Sequence, residues 1–82
     1  MGTGQVEQDV VRAAVFLTEA AEEGYVPAML NLGKMYATGI VGKLPDGTAD
    51  VRTAREWFQK GADLGNEESE EMLKAVPEPT SQ

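Results

Sequence analysis

The chain has 82 residues, with no cysteine and no histidine, and carries 14 acidic against 7 basic residues for a formal net charge of -7. That length allows one small domain or part of one. The two missing residue types exclude a zinc site of the usual kind, a thiol nucleophile and a Ser-His-Asp triad, and the acidic balance argues against a binder of nucleic-acid phosphates. The N-terminal residues show neither the basic nor the apolar run of a signal peptide, and no apolar stretch approaches the ~20 residues that span a bilayer. The expectation is a soluble, cytoplasmic protein with no membrane partner and no cofactor.

In chain order, residues 1–8 read as a flexible, glycine-containing leader. From Asp9 the apolar residues Val10, Ala13, Ala14, Phe16, Leu17, Ala20 and Ala21 recur at helical spacing, which predicts a first helix capped by Asp9 and stopped by Gly24. A second helix follows, with Pro27 in its first turn, Ala28, Met29, Leu32, Met35 and Tyr36 on its apolar face, and Gly39 at its end. The stretch 40–49 is rich in glycine and turn residues and reads as a loop. A third helix starts at Asp50 and runs to about Leu64, with Val51, Ala54, Trp57, Phe58, Ala62 and Leu64 as its apolar set and Gly65 as its stop. A fourth, weaker helix is capped by Asn66 and ends before Pro77, and 77–82 reads as a disordered tail.

The halves repeat. At an offset of 41 residues, Asp9 meets Asp50, Val10 meets Val51, Ala13 meets Ala54, Ala21 meets Ala62, Gly24 meets Gly65 and Leu32 meets Leu73. Bulky residues fall on bulky ones (Phe16 on Trp57, Leu17 on Phe58) and small on small (Ala20 on Gly61, Ala28 on Ser69). Small residues let two helices approach closely, and large ones fill the space beside them. Each half therefore reads as a helical hairpin ending in a glycine stop, and two hairpins stack to share a core. The domain reading is two repeats, 9–39 and 50–76, joined by loop 40–49.

The segments DVVRAAVFLTEAAEEG and DVRTAREWFQKGADLG, with PAMLNLGKMYATG between them, resemble Sel-one-like repeats, a family of the tetratricopeptide-like α/α solenoids. The pattern is carried by Asp9, Arg12-Ala13, Phe16-Leu17, Ala20-Ala21 and Gly24, then Ala28, Leu32-Gly33, Met35-Tyr36 and Gly39; the second copy matches at Asp50, Ala54, Trp57-Phe58, Gly61-Ala62, Gly65 and Leu73. The resemblance implies an all-α fold of two helix-turn-helix units, four antiparallel helices in a solenoid. Three features depart from the pattern. The loop after Gly39 is longer than the family's usual turn, Thr53 replaces a basic residue, and Glu70, Glu71 and Lys74 stand where the first copy has Met29, Leu30 and Gly33.

Several chemistries are weighed and set aside on spacing. Gly42-Lys43 lacks both the upstream glycine and the following Ser or Thr of a phosphate loop. Asp46, Thr48 and Asp50 lack the register of a calcium loop and read as a turn plus a helix cap. The acidic pairs Glu22-Glu23, Glu67-Glu68 and Glu70-Glu71 point in different directions on helices and read as solvated faces. Trp57 and Phe16 read as inter-helix packing, and Tyr25 or Tyr36 as the aromatics with a claim to a binding surface.

The resemblance implies a non-catalytic interaction module that holds a protein or peptide on a concave face lined by the first helix of each pair, with the long loop taking part. The candidate groove residues are Arg12, Val15 and Glu19 from the first helix and Arg52, Arg55, Glu56 and Gln59 from the third. These include all three arginines, the residue type suited to gripping a carboxylate. An acidic inhibitor of a basic protein is the alternative reading. Stacked repeats usually need about three units, and with two, Val11, Val15 and Leu30 are expected to be uncovered. Either a copy of the chain, a longer solenoid or a partner then completes the stack.

Overall fold

In a computed structural model, which describes the backbone of residues 3–76 and side chains from Gln8 onward, four helices follow one another: α1 (Thr3–Glu22), α2 (Val26–Thr38), α3 (Val51–Asp63) and α4 (Glu67–Ala75). α2 packs on α1 at one side and on α3 at the other, and α4 packs on α3. The result is the all-α pair of helical hairpins expected from the repeat, laid out as a slab of about 41 × 34 × 16 Å.

The helix ends follow local chemistry. Asp50 caps α3, its carboxylate accepting from Thr53 N at 3.2 Å and Thr53 Oγ1 at 2.7 Å. The departure at Thr53 is thereby explained, since the hydroxyl completes the cap. Asn66 caps α4 in the same manner, accepting from Ser69 N at 2.6 Å and Ser69 Oγ at 2.7 Å. Pro27 lies in the first turn of α2, and Gly39 closes that helix in the left-handed conformation at φ 79°.

The start of α1 corrects the sequence reading. The helix begins at Thr3, so Thr3–Gln8 is not a leader and Asp9 is an exposed residue inside the helix rather than its cap. Gln5, Glu7 and Gln8 are good helix formers, and their preference outweighs the cost of one glycine at position 4. Residues 1–2 of the expected leader, and the expected tail 77–82, lie outside the described residues.

Two apolar clusters form the core. The first joins Ala21 with Ala28, Met29 and Leu32, flanked by Leu17, Ala20, Tyr36 and Trp57. The second joins Leu30 with Ala54 and Phe58, flanked by Tyr36, Ala37, Met72, Leu73 and Val76. Tyr36 links the two and is only half-buried. Leu30, expected to be uncovered, is buried because α3 lies on that side of α2.

Close helix contacts fall at the small residues. A Cβ at Gly33 would meet the Phe58 ring, 2.6 Å from Cδ1, so glycine lets α3 seat its phenyl ring directly on the α2 backbone. A Cβ at Gly61 would collide with the Ser69 hydroxyl and stand 3.1 Å from its Cβ, so the α3–α4 seam depends on that glycine. Arg55 locks the far end of this hairpin. Its Nη1 donates to Leu73 O at 2.9 Å and also to Val76 O, placing a cation on carbonyls at the C-terminal end of α4.

Candidate functional site: an apolar trough beside α1

α1 is covered by α2 along the line of Leu17, Ala20 and Ala21. Its opposite side carries large apolar residues in solvent: Val11 is 56%, Val15 54% and Phe16 70% exposed. The exposure of Val11 and Val15 agrees with the sequence expectation, whereas Phe16 does not pack between helices as expected. The repeat gives the reason. Trp57, its counterpart in α3, lies against the first core cluster of the preceding hairpin, and the described residues hold no hairpin ahead of α1 to receive Phe16.

The loop after α2 runs back beside α1. Its Gly42 adopts φ 68°, and a Cβ there would strike the Tyr36 ring, so only glycine lets the loop lie flat on that tyrosine. This places Ile40 and Val41 across from α1 and creates an open trough in two continuous parts. One, of about 470 Å³, is lined by Val10, Val11 and residues 39–43. The other, of about 380 Å³, runs on past Val11, Ala14, Val15, Thr18 and Glu19, with Tyr36, Val41 and Gly42 on the far side. Ile40 is itself 58% exposed. Lys43 at one end and Glu19 at the other give the trough a polar rim of opposite sign.

The rest of the loop is held by its own hydrogen bonds. Leu44 N donates to Thr48 O at 2.9 Å and Gly47 N to Leu44 O at 2.8 Å. The Asp46 carboxylate accepts from Thr48 Oγ1 at 2.7 Å and Thr48 N at 3.0 Å. The Thr48 hydroxyl first, and its backbone N–H second, hold the Asp46 carboxyl below its ordinary value of 3.8. Asp46 and Asp50 thus each serve a turn or a cap, in line with the sequence reading of this stretch.

Of the seven groove candidates, the trough takes in Val15 and Glu19, with Arg12 exposed on the same helix. Arg52, Glu56 and Gln59 are exposed on α3, and Gln59 Nε2 donates to Asp63 Oδ1 at 2.8 Å. Arg55 is half-buried and committed to the end of α4, so it does not belong to an open stripe of guanidinium groups. Sequence reasoning gave the long loop a part in binding but singled out none of Ile40, Val41 and Gly42. The signal was an adjacent apolar pair bracketed by Gly39 and Gly42, residues that a purely solvated loop does not need.

This architecture is that of an α/α repeat module with an open apolar flank. A family model for the Sel1 repeat matches residues 1–25 and 26–66, and the chain belongs to the Sel1 repeat family. The second match spans one full period: α2, the long loop, α3 and the turn into α4. The family division therefore falls at the α1–α2 turn, a shifted phase of the repeat drawn from the hairpins. No curated protein and no solved structure matches the chain. Sel1 repeats generally mediate protein–protein interaction and are non-catalytic modules. Among the described residues, no helix is long and apolar enough to cross a membrane.

Proposed function

We propose that the chain is a non-catalytic adaptor that captures an apolar segment of a partner protein or peptide in the trough between α1 and the loop at 39–43. The segment is supplied by another protein or by a second copy of this chain. The observation that carries the reading is the continuous apolar lining of Val11, Val15, Ile40 and Val41, the first three exposed and Val41 half-buried, on a surface otherwise rich in charge. Apolar residues grouped in a concavity and rimmed by Lys43 and Glu19 suit a partner that buries two or three apolar side chains and sets a charge at either end. Arg12, one turn from Val15, provides a further grip on a partner carboxylate. Arg52, Glu56 and Gln59 belong to the same proposed concave face as outlying contacts.

The test is selection of peptides from a displayed random library, followed by binding measurements on wild type and on Val15→Glu and Ile40→Asp. Both side chains are exposed, so the folds should survive, as circular dichroism would verify. Selected peptides are expected to be rich in apolar residues and to bind each variant at least tenfold more weakly. Peptides that bind both variants as tightly as wild type would refute the trough. Affinity that collapses with salt and ignores both substitutions would favour an acidic-surface inhibitor instead.

A further inference from the structure

The trough does not account for Phe16, at 70% the most exposed large apolar side chain among the described residues. Trp57, its repeat counterpart, is covered twice, by the first core cluster on which it packs and by the Lys60 ammonium 4.9 Å from its ring centre. Phe16 has the position without the cover, and Glu19 stands in α1 where Lys60 stands in α3.

Head-to-tail stacking of copies would lay Phe16 on the outer side of the second hairpin. That side is unsuited to it: Glu70 occupies the place of Met29, and Glu70, Glu71 and Lys74 are exposed. Such stacking would also leave the assembly open-ended. A two-fold arrangement fits better. Arg12, Val15, Phe16 and Glu19 are spaced by three and four residues and so share one side of α1, and all four are exposed. An antiparallel α1–α1 contact with its axis midway between Val15 and Phe16 sets Val15 against Phe16 of the second copy. It also sets Arg12 against the second copy's Glu19, and the reverse. Apolar residues meet at the centre, and opposite charges meet twice at the edges.

We propose that a second copy of this chain covers Phe16 by this two-fold contact of α1 with α1. The proposal deepens the reading of α1 as an interaction surface and shares Arg12, Val15 and Glu19 with it, but it adds Phe16 and makes no use of Ile40 and Val41. Ile40→Asp should therefore weaken peptide capture at least tenfold and leave the dimer intact, so that the two ideas fail separately. The net charge of -7 on each copy opposes association, and the contact is expected to be weak and concentration-dependent.

The test is a concentration series of the full chain by light scattering and sedimentation equilibrium, on wild type, Arg12→Glu, Glu19→Arg, an equal mixture of those two, and the double exchange Arg12→Glu/Glu19→Arg. Wild type should dimerise, and each single variant should weaken the dimer roughly tenfold by setting like charges in contact. The mixture should recover it as a heterodimer. The double exchange, which keeps the wild-type net charge, should recover it as a homodimer. Phe16→Asp should be monomeric with unchanged helical circular dichroism. A wild type that stays monomeric throughout overturns the proposal. So does a dimer that survives Phe16→Asp, or charge exchanges that fail to restore what the single variants lose.

Discussion

The two hairpins share a plan and spend it differently. In the second, Trp57 is covered by the hairpin before it, Gly61 admits Ser69 at the α3–α4 seam, and Arg55 ties down the end of α4. In the first, the equivalent of Trp57 is Phe16 in solvent, the equivalent of Gly61 is Ala20, and the equivalent of Arg55 is Ala14 on the floor of the trough. The second hairpin is closed on itself and on its neighbour. The first keeps the same apolar pattern on a side that nothing within the described chain covers. A stack of repeats is a set of equivalent surfaces, and the terminal one retains the chemistry of an interface after losing its partner.

The sharpest way to break this contrast is at the core of the closed hairpin. Phe58 is fully buried against Gly33, Leu30 and Ala54, and Phe58→Ala should cost about 3–5 kcal/mol in urea unfolding. Leu17→Ala, at the equivalent but half-buried position of the first hairpin, should cost clearly less. Next comes the seam. Gly61→Ala drives a methyl group into the Ser69 hydroxyl and should destabilise by about 1–3 kcal/mol, although alanine is the better helix former. Ala20→Gly, the reverse exchange in the first hairpin, should cost only about 0.5–1 kcal/mol through helix propensity.

Arg55→Ala removes the cation from the carbonyls of Leu73 and Val76 and should destabilise by about 1–2 kcal/mol. Loss of amide protection should be concentrated in α4 and visible by hydrogen exchange. The smallest effect is at Asp46, a fully exposed carboxylate held by Thr48. Its folded pKa lies below the unfolded value, so the contribution is present above pH 3.8 and fades as pH falls through the folded value. Carboxyl titration by NMR should give a pKa under 3.8 in wild type and a return toward it in Thr48→Val.

Most of the fold was legible because the signals were local and occurred twice. The caps Asp50 and Asn66 and the glycine stops each carry their reason within a few residues, and the offset of 41 set the glycine stops and the small and bulky positions against a second copy. The start of α1 was not legible. Asp9 has the look of a cap, and the helix-forming run before it is visible only if Gly4 is discounted. Phe16 was misread because a bulky residue at core spacing says that a surface wants covering, not that this chain covers it. Arg55 was misread because its long side chain reaches α4, eighteen positions on, and periodicity on α3 carries no trace of that partner. The trough depends on a loop folding back onto Tyr36, a contact between segments that no local pattern records.

The contrast between the hairpins rests on one pair of equivalent residues, and one comparison tests it directly. Phe16→Ala and Trp57→Ala are to be unfolded in urea at a protein concentration low enough to exclude dimer. Trp57→Ala should lose about 2–3 kcal/mol, because its half-buried ring packs on the first core cluster. Phe16→Ala should change stability by less than about 0.5 kcal/mol, as exposed positions do. Equal losses at the two positions would mean that Phe16 is packed within the chain, and would contradict the assignment of the α1 surface to a partner.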